Sequence, residues 1–288
     1  MDRSDREATH SCPACGSSQP HDFLYEKNGC NIWKCRSCGI GRTETRDFDP
    51  GAYYTKEYFD GAHSDGYADY VGAESVLRRE FKDTVAFVRS KVKGGRLLDV
   101  GCAYGFFLQE AKCHFDVAGI EVAEDAVDHC RRNGLHVLNG VADQENLQQL
   151  GMMDVIVLLD VIEHVPDPFD TLALCAAHLN PGGVLILTTG DFASATARLA
   201  GRNWRLMTPP QHLWFLTPES MKKLASRTGL AFENLDHPWK VVPLSLILFQ
   251  LKRMVGRTPA KSTAASSVGV PVNLFDAMRV VMRKPKTV

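Results

Sequence analysis

The sequence predicts an open, mostly parallel α/β sheet preceded by a small cysteine-rich module. Two observations predict the sheet: short apolar runs alternate with amphipathic segments between residues 96 and 189, and a glycine-rich turn follows the first run. A third observation defines the module, because two C-x2-C pairs lie near the N-terminus. At 288 residues the chain is long enough for about two domains.

The two C-x2-C pairs predict a zinc ribbon that holds a structural Zn²⁺. Their four cysteines are Cys12, Cys15, Cys35 and Cys38. Nineteen residues separate the pairs, which is typical of two-knuckle zinc sites, and four ligands leave the metal no open position. A disulfide or a redox pair is the alternative. The charged N-terminus does not resemble a secretory segment, so we expect a cytoplasmic protein with reduced thiols.

Composition limits the partners that the chain can attract by charge. The net charge is −1, with 44% hydrophobic and 23% charged residues, as in globular proteins. The first 50 residues carry seven Lys or Arg and eight Asp or Glu. Because phosphate binding requires clustered positive charge, the sequence gives no strong nucleic-acid signal.

The pattern divides the chain into three expected parts. Residues 1–48 form the zinc module, of which residues 1–10 are expected to be a disordered leader. Residues 49–93 form a helical cap or linker that begins with an aromatic stretch. Residues 94–288 form the cofactor domain, including a C-terminal helical insertion at about 239–270.

Apolar periodicity predicts six helices, and three of them have a recognisable start or end in the sequence. Apolar residues recur at helical spacing over 75–92, where Gly94-Gly95 ends the segment. Asn133-Gly134 ends a helix at 124–132, and Asp167 with Pro168 begins one at 169–179. The remaining helices are expected at 104–113, 218–228 and 243–255.

Short apolar runs predict the strands of the sheet. The run at 154–159 lacks polar alternation, as expected of a strand buried on both faces. The turn Asn180-Pro181-Gly182-Gly183 leads into a strand at 184–189. The other strands are expected at 96–100, 117–121, 136–138 and 277–283.

The turn at residues 101–105 predicts a site for a nucleotide cofactor. Glycines between a first strand and a first helix let backbone N–H groups approach a ligand. A dinucleotide fingerprint would read G-x-G-x-x-G, but Ala103 and Phe106 occupy its second and third glycine positions, which argues against an NAD-dependent dehydrogenase. Glu121 ends the second strand, where a carboxylate can bind both ribose hydroxyls. A solvated strand-end charge is its alternative reading.

These motifs resemble those of class I S-adenosylmethionine (SAM)-dependent methyltransferases. Residues 98–105, which read Leu-Asp-Val-Gly-Cys-x-x-Gly, resemble the first motif, and Gly119-Ile120-Glu121 resembles the second. Residues 159–168 and 179–183 are similar to the fourth-strand motif and the following turn of the ubiquinone-biosynthesis-like branch. With the zinc ribbon, residues 12–285 resemble a bacterial subgroup associated with sugar and glycan tailoring. The resemblance implies a Rossmann-like, seven-stranded methyltransferase sheet and SAM as cofactor.

The resemblance also implies which residues contact the cofactor. It places the turn and Asp99 at the methionine end, Glu121 on the ribose, and residues 141–143 near adenine. Ala103 stands where the family usually has glycine. The implied cofactor-binding residues are Asp99, Gly101, Cys102, Ala103, Gly105, Glu121, Val122, Val141, Ala142, Asp160 and Val161.

Two histidines are candidate general bases for methyl transfer. His164 follows the fourth strand, and His212 lies in a Trp- and Arg-rich segment after the fifth. Each has a structural alternative: His164 as a helix cap and His212 as a packed side chain. The acceptor-side candidates, which have core or surface roles as alternatives, are Tyr54, Tyr58, Trp204, Arg205 and Trp214. Asp160, Glu163 and His164 could alternatively bind Mg²⁺.

The sequence therefore predicts a methyltransferase that acts on a small molecule or a glycan, with a sugar hydroxyl as the favoured acceptor. The alternatives are an rRNA or tRNA methyltransferase that uses the ribbon to dock RNA, and a non-catalytic zinc-ribbon interaction protein. No run is long enough to span a bilayer, although residues 241–255 could contact a membrane surface. Oligomeric state and acceptor identity stay open.

Overall fold

The computed structural model describes residues 7–44, 70–244 and 268–286. The chain divides into two compact units. The first comprises Met1–Asp49, Ala142–Pro238 and Leu274–Val288, and the second comprises Pro50–Val141 and Trp239–Asn273. The cysteine module, which the sequence suggests as a separate domain, thus shares one unit with residues far along the chain.

The cysteine module is a meander of antiparallel strands. These are β1 (Glu7–Cys12), β2 (Ser17–Lys27), β3 (Cys30–Cys35) and β4 (Gly41–Glu44). Strand β1 pairs with β2 from Glu7↔Asp22 to Cys12↔Ser17. The expectation of a disordered leader over residues 1–10 is therefore wrong for residues 7–10. Their polar composition hid a strand whose order comes from backbone pairing with β2.

The second sheet has seven strands and is mostly parallel, as the sequence predicts. The next strands along the chain are β5 (Arg96–Val100), β6 (Asp116–Glu121), β7 (His136–Asn139), β8 (Met153–Leu159), β9 (Leu179–Gly190), β10 (Trp214–Phe215), β11 (Ala231–Asp236), β12 (Lys240–Pro243), β13 (Gly269–Val272) and β14 (Ala277–Arg283). Seven of these strands form the second sheet, in the order β11-β14-β9-β8-β5-β6-β7.

Pairing within each unit explains why the sheet is mostly parallel. In the second unit β5 pairs with β6, and β6 with β7, in parallel. In the first unit β8 and β9 are parallel, whereas β14 runs antiparallel to both β9 and β11. Residues 155–158 of β8 are fully buried, so this strand has no polar alternation.

Helices lie between the strands in the expected alternation. They are α1 (Glu74–Lys91), α2 (Phe106–Ala111), α3 (Glu124–Arg132), α4 (Gln144–Leu150), α5 (Pro168–Ala177), α6 (Ala195–Ala200) and α7 (Pro218–Arg227). The predicted start of α5 is confirmed, since the Asp167 carboxylate accepts a 2.7 Å hydrogen bond from the Phe169 amide and Pro168 is the first helical residue.

Several elements differ from the sequence-based expectation. Helices α4 and α6 and strand β11 were not expected, because short elements carry too few periodic positions to stand out. Within the expected helical insertion at 239–270, residues 240–243 and 269–272 are strands that pair as a hairpin. Residues 245–267, which include most of the predicted helix at 243–255, lie outside the described residues, as does the aromatic stretch before Tyr70.

Among the residues that the structure describes, no helix combines the length and the apolar character needed to cross a membrane.

Candidate active site

The glycine-rich turn follows β5 in the second unit, where the sequence places it. The amides of Gly101 and Cys102 both donate to the carbonyl of Ile120, at 2.8 and 3.2 Å. Gly105 begins α2 with a left-handed φ of 74°. Backbone hydrogen bonds therefore hold the start of the turn against β6.

Glu121 ends β6 and is tied to the same turn. One carboxylate oxygen accepts a 2.8 Å hydrogen bond from the Ala103 amide, and the other accepts one of 2.9 Å from the Ala123 amide. The side chain is buried, and burial raises the pKa of this carboxyl, while the backbone donors oppose that shift. The alternative reading of a solvated strand-end charge is thus inconsistent with its position.

Asp99 lies beneath the turn and has an unsatisfied oxygen. It is 2% exposed, and its Oδ1 atom has no hydrogen-bond partner among the described residues. Burial, and then the neighbouring Glu121 charge, raise the pKa of Asp99 well above its ordinary value. A buried polar atom without a partner is costly, so the site fits a cofactor that would supply a donor.

Cys102 and Val141 differ from the other predicted cofactor residues. The Cys102 thiol packs inward, and a Cβ added at Gly119 would lie 2.6 Å from its sulfur. Val141 is 52% exposed and Val122 is partly buried. Glycine is required at position 119 because the Cys102 thiol occupies the space that a side chain there would fill.

In the first unit, Asp160 follows β8 and is fixed by Thr188 of β9. The Thr188 hydroxyl donates to the Asp160 carboxylate at 2.8 Å, and the Asp160 amide donates to the Thr188 carbonyl at 3.1 Å. Asp160 has a φ of 58°, a left-handed value that aspartate tolerates better than most residues. Val161 and Ala142 are partly buried. Asp143, which the resemblance places near adenine, caps α4 by accepting from the Asn146 amide.

The two candidate bases lie together. The rings of His164 and His212 are 4.7 Å apart, edge to face, and Glu163 lies beside them. Nδ1 of His164 lies 2.9 Å from the Gln211 carbonyl. Because a carbonyl only accepts, Nδ1 carries the proton in the neutral ring, and Nε2 then carries the lone pair. The sequence predicted each histidine as a separate candidate base, and the fold places their rings next to each other.

Both imidazoles favour the neutral form. Burial lowers the pKa of His164, and it lowers that of His212 well below the ordinary 6.5, with the neighbouring His164 as the second cause. A neutral imidazole can accept a proton or bind a metal.

The other acceptor-side candidates have different surroundings. Trp204 is 3% exposed, and its indole N–H donates to Asp276 at 2.8 Å. Arg205 forms two hydrogen bonds to the same carboxylate, at 3.0 and 2.9 Å. Through these contacts Trp204 and Arg205 fix the Trp- and Arg-rich segment to Asp276. The sequence did not single out Asp276. The Trp214 indole donates to the Val165 carbonyl at 3.1 Å. Tyr54 and Tyr58 lie outside the described residues.

The four cysteines of the two knuckles converge. Their sulfur atoms all lie within 4.8 Å of one another, and Cys12 and Cys38 are 3.6 Å apart. Tetrahedral zinc with bonds of about 2.3 Å would place its sulfurs about 3.8 Å apart. The hydrogen bond to Cys38 lowers the pKa of Cys12 to about 5. All four are free thiols, so the disulfide alternative does not apply to this structure.

A second set of metal-binding groups lies at the histidine pair. Glu163, His164 and His212 each offer one ligand atom, and these atoms lie within 4.8 Å of one another. The sequence-based alternative had Asp160 as the third ligand, but a carboxylate oxygen of Asp160 accepts from Thr188. A donor set with two imidazoles suits a transition metal better than Mg²⁺, which prefers oxygen.

Comparisons with known proteins show that the sequence is similar to methyltransferases. A family profile described as a methyltransferase domain matches residues 73–235. A ubiquinone biosynthesis O-methyltransferase of Bordetella avium is 34% identical over 173 residues, covering 55% of this chain and 70% of its own. One from Xanthomonas euvesicatoria is 30% identical over 194 residues, covering 62% and 80%.

Solved structures show the same fold at low identity. A SAM-dependent methyltransferase from Archaeoglobus fulgidus aligns with a TM-score of 0.50 at 17% identity, covering 72% of this chain and 94% of its own. A chain from the complex between the Haloferax volcanii Trm112 methyltransferase activator and a methyltransferase aligns with a TM-score of 0.52 at 15% identity, covering 84% and 100%. The chain belongs to the class I SAM-dependent methyltransferases.

Proposed function

We propose that this enzyme transfers a methyl group from SAM to a hydroxyl group of a small molecule or glycan, with a sugar hydroxyl as the favoured acceptor. The relatives named as O-methyltransferases support oxygen as the methylated atom. The ribbon and the motif set support a sugar or glycan acceptor, because they resemble the tailoring subgroup. Family membership sets aside the dehydrogenase and the non-catalytic alternatives.

The observation that carries this proposal is the pairing of His164 and His212 at the carboxyl end of β8. Open α/β sheets bind their ligands at that edge. A hydroxyl must lose a proton when it attacks the sulfonium methyl, and a neutral imidazole can accept it. SAM already supplies a good leaving group, so the protein mainly orients the acceptor and removes the proton. His212 is the proposed base. His164 either assists His212 or is the alternative candidate for the base.

The proposed cofactor-binding roles belong to Glu121, Asp99 and the glycine-rich turn. Glu121 would accept hydrogen bonds from the ribose hydroxyls with the lone pairs that the backbone amides leave available. Asp99 would receive a donor from the methionine end, which would satisfy its buried oxygen. The turn at 101–105 would pack along the same end.

The cysteine cluster is proposed to hold one structural Zn²⁺. Four thiol ligands close the coordination shell, so this metal would take no part in the reaction. A bound metal worth on the order of 10–16 kcal/mol would stabilise the two knuckles, which come from different parts of the meander.

A metal-assisted reaction is the second candidate mechanism, and the cluster of Glu163, His164 and His212 favours it. A bound cation would activate the hydroxyl in place of a free histidine base. Dialysis of the purified enzyme against a chelator too weak to remove the cysteine-bound Zn²⁺, with its retention checked by elemental analysis, distinguishes the two mechanisms. A histidine base predicts unchanged turnover, whereas a catalytic metal predicts lost turnover that one added cation restores.

Label transfer tests the proposed function. The full chain is incubated with methyl-labelled SAM and a fractionated cell extract, with and without nuclease. Label in small-molecule, sugar-nucleotide or glycan fractions supports the proposal. Label confined to nuclease-sensitive material would instead establish the RNA methyltransferase alternative. The exposed His136 provides a matched control, since His136→Asn should label as well as the natural protein while His212→Asn should not.

A further inference from the structure

The cysteine-bearing sheet does not end at β4. Its fifth strand is β10, which pairs antiparallel with β4 through Trp214↔Arg42 and Phe215↔Gly41. Strand β10 comes directly after the segment that carries His212. Two parts of the sequence that are separated by about 170 residues therefore form one sheet, and both belong to the first unit.

Hydrogen bonds hold the backbone around His212 from the side of the cysteine module. The Thr43 hydroxyl donates to the His212 carbonyl at 2.6 Å, and the Thr43 amide donates to the Leu213 carbonyl at 2.9 Å. Three residues earlier, the Asn28 side chain donates to the Pro209 carbonyl at 2.8 Å. The module thus contacts this segment before, at and after the histidine.

The opposite side of the same segment is held by the residue next to His164. The Glu163 carbonyl accepts from the amides of Leu213 and Trp214, at 2.9 and 3.1 Å. The His212 backbone therefore lies between β4 and the end of β8. A shift of either neighbour would change the distance between the two imidazoles.

Apolar packing reinforces this arrangement. Ile32 of the module lies in one buried cluster with Phe192, Trp204, Met207 and Phe215. A Cβ added at Gly41 would lie 2.9 Å from the Phe192 ring, so the backbone of β4 is in close contact with this cluster. The module and the acceptor-side segment share a core, which a loosely tethered docking domain would not.

The knuckles themselves contact α7, which follows β10. The Thr217 hydroxyl donates to the Cys38 carbonyl at 2.8 Å, and Lys223 donates to the Ser37 carbonyl at 3.3 Å. Arg227 donates to the Pro13 carbonyl and lies against Gly16, whose added Cβ would lie 2.6 Å from the guanidinium. Both cysteine knuckles are thereby fixed to the same unit as His212.

We propose that the cysteine module forms a wall of the acceptor site and that Thr43 is a positioning residue. By its hydrogen bond to the His212 carbonyl, Thr43 fixes the distance between the His212 and His164 rings. This inference rests on the proposed function, in which His212 is the base. The module would act on the reaction through β4 and would not serve primarily to bind a separate partner.

The hydroxyl of Thr43 is the group to remove. Thr43→Val keeps the shape but leaves the His212 carbonyl without this donor, and Thr43→Ser retains the donor. Misplacement of a catalytic group by about 1 Å lowers the rate about 100-fold. We expect turnover in Thr43→Val to fall about 10- to 100-fold, with a KM for SAM within twofold, and Thr43→Ser to restore it. The exposed Thr9 of β1 supplies the matched control, Thr9→Val.

Hydrogen exchange provides a readout that needs no acceptor. Peptides covering residues 206–216 should exchange faster in Thr43→Val than in Thr43→Ser or Thr9→Val. If Thr43→Val does not fold, Asn28→Gly tests the neighbouring contact. Glycine keeps the left-handed φ of 50° at that position and removes the amide that donates to Pro209. It should raise exchange in the same peptides.

The two proposals can fail separately. Unchanged exchange and unchanged turnover in Thr43→Val would overturn the positioning role, even if His212→Asn is inactive. Full turnover in His212→Asn would remove the base from the proposed function and with it the role of Thr43 in catalysis. Loss of turnover in Thr43→Val without faster exchange and without rescue by serine would also contradict the inference.

Discussion

The Glu121 carboxylate and the Ala103 amide are joined by a 2.8 Å hydrogen bond, which connects the end of β6 to the glycine-rich turn after β5. The second oxygen of Glu121 accepts from the Ala123 amide at 2.9 Å. One buried side chain thus fixes the turn and the start of the following loop. This side chain is also the proposed ribose ligand, so cofactor binding and turn geometry depend on the same group.

Glu121→Gln should weaken SAM binding about 10- to 100-fold, because hydrogen bonds to a charged group contribute about 1.5–3 kcal/mol. The glutamine NH₂ group would also face a backbone N–H that needs an acceptor. Calorimetric titration with SAM or S-adenosylhomocysteine measures the change. Glu124→Gln, at an exposed position in the first turn of α3, is the control and should bind normally. An unchanged Kd for Glu121→Gln would exclude the ribose role.

Turnover should decrease in acid with an inflection below pH 6.5. The proposed base must be neutral to accept a proton, and burial lowers the pKa of His212 well below its ordinary 6.5. A pH profile of kcat in the natural protein should therefore be flat near neutrality. His212→Asn should lower the plateau about 100- to 10,000-fold, the range typical of general-base catalysis. An inflection above pH 7 would assign the proton transfer to another group.

The same pKa shifts should make the fold less stable in acid. The unfolded chain binds protons at its histidines from about pH 6.5 downward, while the folded chain resists protonation at His164 and His212. The unfolded state then binds more protons, so the free energy of unfolding falls as the pH drops below 6.5. Urea unfolding between pH 5 and 8 measures this dependence. It should be weaker in the double variant His164→Asn/His212→Asn, and equal slopes would contradict the prediction.

One zinc ion per chain should copurify with the protein and depend on the knuckle cysteines. Cys35→Ser removes one of four thiolates, so the metal content should fall well below one equivalent and the thermal midpoint should decrease. Elemental analysis and calorimetry measure both quantities. Cys113 is exposed and outside the cluster, so Cys113→Ser is the matched control. Equal metal content in the two variants would refute a four-cysteine zinc site.

Ala103→Gly should stabilise the protein by about 0.5–1 kcal/mol, because Ala103 has a left-handed φ of 45° that costs an L-residue more than it costs glycine. Ala177→Gly provides a control of opposite sign. It lies exposed in the last turn of α5, and glycine in a helix destabilises by about 0.5–1 kcal/mol. Denaturant unfolding measures both. A loss of stability in Ala103→Gly would show that its methyl group contributes more by packing than its conformation costs.

The sequence by itself determined the fold class and six of the seven strands of the sheet, and its resemblance to a known family indicated the cofactor. The apolar composition of runs such as Arg96–Val100 and 154–159 indicates that they are buried. Glycine at position 105 is the residue that favours the left-handed φ found there. Such features are local, since a strand, a cap or a turn needs only the residues within a few positions of it. The C-x2-C pairs are local in the same sense, and they alone indicated where the four sulfurs converge.

Only the tertiary structure decided which distant residues act together. The sequence named His164 and His212 separately, and it gave no signal for Asp276, Thr188 or Thr43. Their contacts form between segments tens to more than a hundred residues apart, where sequence spacing says nothing about distance. The pairing of β4 with β10 is the clearest case, because two residues of β10 are too few to show strand periodicity. The burial of His212 and the hydrogen bonds to its backbone follow from that packing, so the fold set its protonation and position.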